Sequence, residues 1–184
     1  MRPDDPRLIN PRVDPQLPVF SLGRYAGARR AAIVAVKEKG RSDLIVPLAS
    51  ALGAGLDRLI AWRVVDLPLT LVPAPTRRSA ARRRGGDPVA RVATTIAHGR
   101  DGVGVVSALR LRASSRDSVG LSTAARQANV AGRVRLVGPR SSGESRSVLL
   151  VDDIVTTGAT AAESVRVLQR AGARVVGVMA IAHA

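Results

Sequence analysis

The stretch VLLVDDIVTTGAT, from Val148 to Thr160, contains the features that decide the fold. Its apolar start predicts a buried strand, and two adjacent carboxylates, Asp152 and Asp153, follow where that strand is expected to end. Five small or hydroxylated residues then lead into a predicted helix: Thr156, Thr157, Gly158, Ala159 and Thr160. A strand, a polar turn and a helix in this order are typical of ligand sites at the carboxyl edge of a parallel sheet.

The two halves of this motif suit different parts of one ligand. Backbone N–H groups of the threonine turn and the positive end of the following helix can converge on a phosphate. Asp152 and Asp153 would repel that phosphate unless a cation intervened, so they need hydrogen-bond donors or a metal. The neighbouring hydroxyl groups of a ribose supply such donors, and a carboxylate nearby would stabilise positive charge at the anomeric carbon. The motif therefore predicts a site for ribose 5-phosphate.

The remaining sequence predicts an α/β fold with a mostly parallel sheet flanked by helices. Helices are predicted from Tyr25 to Lys39 and from Ser42 toward Trp62, where Gly40 ends the first and Ser42 caps the second. Short apolar runs then alternate with helical stretches, which favours a parallel sheet covered on both faces. The predicted strands are LTLVPAP, GVGVVSALRL, RVRLV, SVLLVDD and VVGVMAIA, with helices over 88–98 and 160–171.

This alternation predicts a single domain. Residues 1–20 are rich in proline and charge, and we expect them to form an extended leader. The domain is expected over 21–184, with an N-terminal helical layer (21–66) and a core (67–184). Within the core, the polar segment at about 112–132, which we call the hood, is too long for an idle connection, and this length indicates either a lid or a disordered segment.

Composition limits the classes of function. Lys and Arg number 29 against 14 acidic residues, and the resulting net charge of +15 favours phosphate-bearing partners. Much of this excess can equally be an ordinary solvated surface. The chain has no cysteine, which excludes disulfides, thiolate metal sites and a cysteine nucleophile. No apolar run is expected to act as a signal peptide or to span a bilayer, so we predict a cytoplasmic protein.

The opening motif resembles the phosphoribosyl pyrophosphate (PRPP) motif of type I phosphoribosyltransferases, with the apolar strand, the acid pair and the T-T-G turn in register. The resemblance implies a parallel-sheet core with a flexible hood, and Mg²⁺ to hold the pyrophosphate leaving group. It assigns Asp152 and Asp153 to the ribose hydroxyls as catalytic residues, and residues 156–160 to the 5-phosphate. Mg²⁺ would be held mainly through the ligand, with the two aspartates as candidate protein ligands.

Three further segments are similar to the ComF-like branch of that family, which is associated with competence: YAGARRAAIVAVKEKG, VPAPTRRSAARRRGG and GLSTAARQANVAG. Together they extend the resemblance over most of the chain after Ser21. It implies that the loop after the first core strand binds pyrophosphate, through Ala74, Pro75, Thr76, Arg77 and Arg84. The hood segment would contribute Arg116, Arg126 and Asn129. The cysteine-rich zinc module of many relatives cannot form here, because the chain lacks cysteine.

Two other interpretations of the acid pair do not fit. A receiver domain carries such a pair near its start, whereas only about thirty residues follow Asp153. No G-x-x-x-x-G-K-[ST] pattern indicates a Walker-type site. We therefore expect an enzyme that transfers a phosphoribosyl group from PRPP to an unidentified nitrogen acceptor and releases pyrophosphate. The alternative is a non-catalytic protein that senses PRPP, or serves DNA uptake with the competence machinery through a basic surface. A homodimer is compatible with either.

Overall fold

A computed structural model describes residues 5–76, 86–112, 132–137 and 146–184 of the chain. Within these ranges the helices are α1 (Gly27–Lys39), α2 (Ile45–Ala61), α3 (Pro88–Ala97) and α4 (Ala159–Arg170). The strands are β1 (Arg7–Ile9), β2 (Val19–Ser21), β3 (Leu69–Pro73), β4 (Val103–Val105), β5 (Leu109–Leu111), β6 (Val134–Leu136), β7 (Ser147–Val155) and β8 (Arg174–His183). Six of them form one sheet in the order β1-β2-β8-β7-β3-β4, in which only β1 and β2 pair antiparallel. The predicted α/β class, with a mostly parallel sheet flanked by helices, is confirmed.

One face of this sheet is covered by α1, α2 and α3. α1 ends at Gly40, whose φ of 66° is the left-handed conformation that glycine adopts at a helix end. α2 carries a stripe of leucines that is buried, and its members pack in one core with β3, β7 and β8: Leu48, Leu52, Leu56 and Leu59. By length and composition alone, the segment Ser42–Ala61 would also suffice to cross a membrane, a test that core helices pass as well.

The start of α2 differs from the prediction. Ser42 does not cap this helix: it opens a 3₁₀ turn, Ser42–Leu44, and α2 follows from Ile45 without a side-chain cap. Pro47 then lies in the first helical turn, where its missing N–H group has no intrahelical partner to lose. The apolar stripe therefore fixes the position of α2, and the capping residue does not.

The other face of the sheet is covered by α4 and by a separate two-stranded sheet of β5 and β6. The prediction of GVGVVSALRL as one strand is wrong, because it forms both β4 and β5, in different sheets. After the amide of Val106 donates to the carbonyl of Leu71, the chain turns away at Ala108 and leaves the large sheet. RVRLV likewise forms β6, which pairs antiparallel with β5 and does not join the parallel sheet.

The N-terminal segment contributes to the large sheet. In the predicted leader, β1 pairs with β2, which in turn pairs with β8. Asp5 is buried, and its carboxylate lies 3.5 Å from the guanidinium of Arg58 on α2. Residues 5–21 thus add two strands to the β8 side of the sheet.

Candidate functional site

The acid pair lies inside a strand and not after it. β7 continues through Asp152 and Asp153 to Val155, two residues beyond the end of the predicted strand SVLLVDD. Asp152 is paired with Ala180 of β8, and the amide of Asp153 donates to the Asp152 Oδ1 at 2.8 Å. The reason for the longer strand is that β8 is ten residues long and offers ladder partners as far as His183. Both carboxylates are therefore carried on a rigid backbone.

Lys37, which lies outside the sequence motif, forms an ion pair with one of the two carboxylates. The ammonium group of Lys37, near the end of α1, lies 2.6 Å from the carboxylate of Asp153. Sequence reasoning missed Lys37, which stands in the charged run KEK and has the pattern of a solvated residue. A usable signal was its position four residues after the core residue Ile33, because side chains with this spacing share a helix face.

The environment of Asp152 favours its neutral form. Burial raises the pKa of Asp152 well above the ordinary aspartate value, the charge of Asp153 raises it further, and Lys37 opposes both effects. A small apolar cavity of about 20 Å³ adjoins the pair and is lined mainly by aliphatic side chains, including Ile33 of α1 and Val92 of α3. A ligand that brings hydrogen-bond donors or positive charge to this pair would stabilise its ionised form.

The threonine turn connects β7 to α4. Gly158 has a left-handed backbone with φ of 86°, and α4 begins at the next residue, Ala159. The first turn of α4 carries no acidic side chain, so its backbone amides and positive helix end are suited to an anion. The predicted helix start at residue 160 is therefore one residue late.

The N-terminal segment lies across this turn. The amide of Val13 donates to the carbonyl of Thr157 at 2.7 Å. A Cβ atom placed on Gly158 would lie 2.3 Å from the carbonyl oxygen of Val13 and 2.7 Å from the Cβ of Pro11. We call Pro11–Val13 the strap. The absence of a side chain at Gly158 is thus required both by its φ angle and by the close approach of the strap.

A cleft of about 290 Å³ joins several of the predicted site residues at the carboxyl edge of the sheet. Its lining combines the acid pair and Lys37 with the segment that follows β3 and with the start of α4. The predicted site residues among the lining are Ala74, Pro75, Thr76, Asp152, Asp153 and Thr160. The lining does not include the four residues that precede Thr160 in the sequence: Thr156, Thr157, Gly158 and Ala159. Arg77, Arg84, Arg116, Arg126 and Asn129 lie outside the described residues.

The backbone explains why the segment after β3 reaches the acid pair. β3 is the parallel neighbour of β7, with Pro73 opposite Val151, and the amide of Ala74 donates to the carbonyl of Val151 at 2.7 Å. Ala74 and Pro75 are buried and Thr76 is half-buried. Because parallel strands end at the same edge, the residues after β3 and the second half of β7 form facing walls of one cleft.

Glu163 on α4 is a further residue that sequence reasoning missed. Its buried carboxylate accepts a hydrogen bond from the amide of Gly132 at 2.8 Å and pairs with Arg166 one turn later. These contacts, that of Arg166 first, lower the pKa of Glu163 below its ordinary value. Gly132 is the last residue of the predicted hood range, so Glu163 ties that end of the range to the helix that follows the threonine turn.

The chemistry of the donor groups fits Mg²⁺ bound largely through a ligand. Carboxylate oxygens are hard ligands, and Mg²⁺ is commonly held by one or two carboxylates together with substrate phosphates. Among the residues that the structure describes, no group of three or more His, Asp or Glu side chains could hold a metal by itself. Asp152 and Asp153 are the carboxylates that line the cleft.

Comparisons with known proteins give distant structural similarity. No family model matches the sequence, and no curated protein matches it. A hypoxanthine phosphoribosyltransferase structure from Staphylococcus aureus is similar with 21% identity and a TM-score of 0.43, over 76% of this chain and 62% of that one. A phosphoribosyltransferase structure from Corynebacterium diphtheriae is similar with 25% identity and a TM-score of 0.41, over 85% of this chain and 72% of that one. The chain thus spans less than two thirds of the staphylococcal structure.

Proposed function

We propose that the protein binds PRPP in this cleft and transfers its phosphoribosyl group to a nitrogen acceptor. The observation that carries the proposal is the meeting of three elements in one cleft: the acid pair, the start of α4 and the residues after β3. A simple phosphate would be attracted by the anion cradle and repelled by the neighbouring carboxylates. Both features suit a ligand that carries hydroxyl groups between two phosphorylated ends, as PRPP does.

The cleft, and the threonine turn that precedes Thr160 in the chain, have separate roles in this proposal. The amides of the threonine turn and of the first turn of α4 hold the 5-phosphate. Asp152 and Asp153 accept hydrogen bonds from the ribose hydroxyls. Ala74, Pro75 and Thr76 contact the pyrophosphate, and Arg77 and Arg84 supply the fixed positive charge that a diphosphate needs. The hood residues Arg116, Arg126 and Asn129 would close over the bound ligand and exclude water.

In the reaction, the bond between the anomeric carbon and the pyrophosphate oxygen breaks, and its electron pair leaves with pyrophosphate. The lone pair of the acceptor nitrogen forms the new bond to the anomeric carbon, and the nitrogen then releases its proton to solvent. Positive charge develops on the ribose between these events. In the proposed complex the carboxylates of Asp152 and Asp153 stabilise that charge. Mg²⁺, when bound, would supply further positive charge to the leaving pyrophosphate.

Narrower features of the proposal rest on the sequence motifs. The ComF-like segments favour that branch of the phosphoribosyltransferases. The cytoplasmic location proposed for the protein rests on the sequence pattern of the N-terminal residues and of the apolar runs. The net charge of +15 favours a second candidate function, in which the protein senses PRPP or handles DNA without catalysis. The two functions share the PRPP site and differ in whether an acceptor is consumed.

The experiment is a thermal-shift titration with PRPP, with and without Mg²⁺, on the unaltered chain and on Asp152→Asn and Asp153→Asn. We expect PRPP to stabilise the unaltered chain in a Mg²⁺-dependent way. The apparent affinity for PRPP should fall at least about tenfold in both variants, because each loses a charged acceptor whose hydrogen bond contributes roughly 1.5–3 kcal/mol. Asp66→Asn is the matched control, since Asp66 is exposed and lies away from the cleft lining. Equal PRPP stabilisation in all four proteins would remove the acid pair from the site.

A pyrophosphate-release assay with a panel of nucleobases and amines separates the enzyme from the sensor. Release that depends on both acceptor and Asp152 supports the transferase. PRPP binding without release from any acceptor in the panel would favour the sensor. DNA binding that falls steeply with salt and is unchanged in Asp152→Asn would support the DNA-handling function.

A further inference from the structure

A second group of charged side chains lies at the carboxyl ends of β2 and β8, outside the cleft. His183 is near the end of β8, and its Nδ1 lies 3.0 Å from the Oγ of Ser21 at the end of β2. Arg24 forms a parallel bridge with His183, fixed by backbone hydrogen bonds on either side of it. These contacts attach an imidazole and a guanidinium to one rigid corner of the sheet.

Two more arginines reach the same corner from other elements. Arg7 on β1 is the register partner of Ser21. The guanidinium of Arg29 lies over Gly23, with its Nη1 2.7 Å from the position that a Cβ atom would take there. Four elements therefore bring cationic groups together: β1, the β2–α1 connection, α1 and β8. We call Arg7, Arg24, Arg29 and His183 the basic corner.

Electrostatics agrees with this geometry. Burial lowers the pKa of His183, and repulsion by Arg24, Arg29 and Arg7 lowers it further. Within the described residues, neither Arg7 nor Arg24 forms an ion pair. α1 has no acidic side chain in its first turn, so no carboxylate from that turn offsets the cluster.

Ser21 fixes the state of the imidazole. Its hydroxyl is fully buried, donates to the carbonyl of Gly23 at 3.0 Å and accepts from the amide of Gly23 at 3.1 Å. Since the single hydroxyl proton is used in this way, Nδ1 of His183 carries the hydrogen in the contact with Ser21. The other ring nitrogen, Nε2, is then the atom left for a ligand, and it becomes a donor when the ring is protonated.

We propose that the basic corner is a second anion site, which binds a phosphate group. A phosphate presents several oxygens and up to two negative charges, which suits guanidinium groups arriving from three different elements together with an imidazole donor. The site is separate from the PRPP cleft, although it is near the threonine turn: Val155, which precedes that turn, is paired with His183. The inference stands on the corner itself and does not require that the cleft bind PRPP.

The test uses His183 as its own reporter, because the chain has two histidines and the other, His98, lies at the end of α3. The pKa of each imidazole is measured by NMR with inorganic phosphate and with sodium chloride at equal ionic strength. A phosphate bound at the corner is expected to raise the pKa of His183 by about half a unit or more. The imidazole signals of His98 serve as the control and are expected to be the same in both salts.

Three variants locate the bound ion. Arg24→Gln is expected to abolish the phosphate-induced shift. Arg174→Gln, at the opposite end of β8, and Thr160→Val, in the PRPP cleft, are expected to retain it. The proposal is overturned if the pKa of His183 is the same in phosphate and in sodium chloride, or if the phosphate-induced shift persists in Arg24→Gln. It is also overturned if Thr160→Val alone abolishes the shift, which would place the ion at the threonine turn. A response to an oligonucleotide with none to inorganic phosphate would overturn it in favour of a nucleic-acid surface.

Discussion

The contact between the strap and Gly158 leads to a quantitative prediction for Gly158→Ala. The new methyl group would meet two atoms of the strap, the carbonyl oxygen of Val13 at 2.3 Å and the Cβ of Pro11 at 2.7 Å. Both atoms are backbone or close to it, so a change of side-chain rotamer cannot relieve the overlap. Gly158 also has a φ of 86°, which alanine adopts at a cost.

The two effects can be separated in magnitude. Placing alanine in the left-handed region costs about 1–2 kcal/mol. Forcing an extra methyl group into a close contact costs typically about 1–3 kcal/mol more. We therefore expect Gly158→Ala to lower the free energy of unfolding by roughly 2–5 kcal/mol. Gly99 supplies the matched control, because it has a φ of 78° but nothing within 4 Å of its Cβ position. Gly99→Ala should cost only the first amount.

The assay is urea unfolding of both variants, with trypsin cleavage after Arg12 followed by mass spectrometry. If the strap yields and moves away, cleavage at Arg12 should be faster in Gly158→Ala than in Gly99→Ala. The reasoning is refuted if the two variants lose equal free energy of unfolding and cleavage at Arg12 is unchanged in both. That result would mean that the strap does not rest on Gly158.

Three further predictions concern individual contacts. Lys37→Met should lower the free energy of unfolding by about 1–2 kcal/mol, because it leaves Asp153 without its cation. Lys37→Arg keeps a cation at this position and should retain most of that free energy in the same urea assay. Ser164→Ala should raise the free energy of unfolding, because the buried Ser164 hydroxyl has no hydrogen-bond partner in the described residues. The increase should exceed that of Ser50→Ala, an exposed helical control, by up to about 1 kcal/mol. An equal effect of the two substitutions would contradict this. The folded state lowers the pKa of Glu163 below 4.5, so its contribution is full above that pH and is lost as the pH falls through the folded-state pKa. Glu163→Gln should therefore flatten the acid side of a stability-against-pH curve, and an unchanged curve would exclude the carboxylate as a source of that slope.

The sequence predicts those elements whose side chains repeat with a clear period. The leucine stripe from Leu48 to Leu59 locates α2, and the apolar runs around Leu71 and Leu149 locate β3 and β7. In each case burial requires the pattern that reveals the element. β1 gives no such signal, since it is three residues long and two of them are exposed. Its existence depends on pairing with β2, which is a tertiary property.

The residues of the candidate site also differ in whether the sequence predicts them. Asp152, Asp153 and the threonine turn are predictable because their chemistry is concentrated in thirteen consecutive residues. Lys37 comes to the site from a helix more than a hundred residues earlier, and local sequence does not encode which carboxylate it will meet. The fusion of β4 and β5 into one predicted strand has a related cause: both runs are apolar, and only the position of β6 decides where the second one pairs.

The continuation of β7 through the acid pair has a consequence for the thermodynamics of binding. The backbone that carries Asp152 and Asp153 is already ordered by the ladder with β8, whose pairs continue to Val155. A ligand that engages these carboxylates meets acceptors with little reorganisation energy, since groups held on strands keep their geometry better than groups on loops. The entropy lost on binding must then come from the ligand and from parts of the protein other than this strand. Amide hydrogen exchange along β7 should accordingly be slow before ligand is added and change little afterwards.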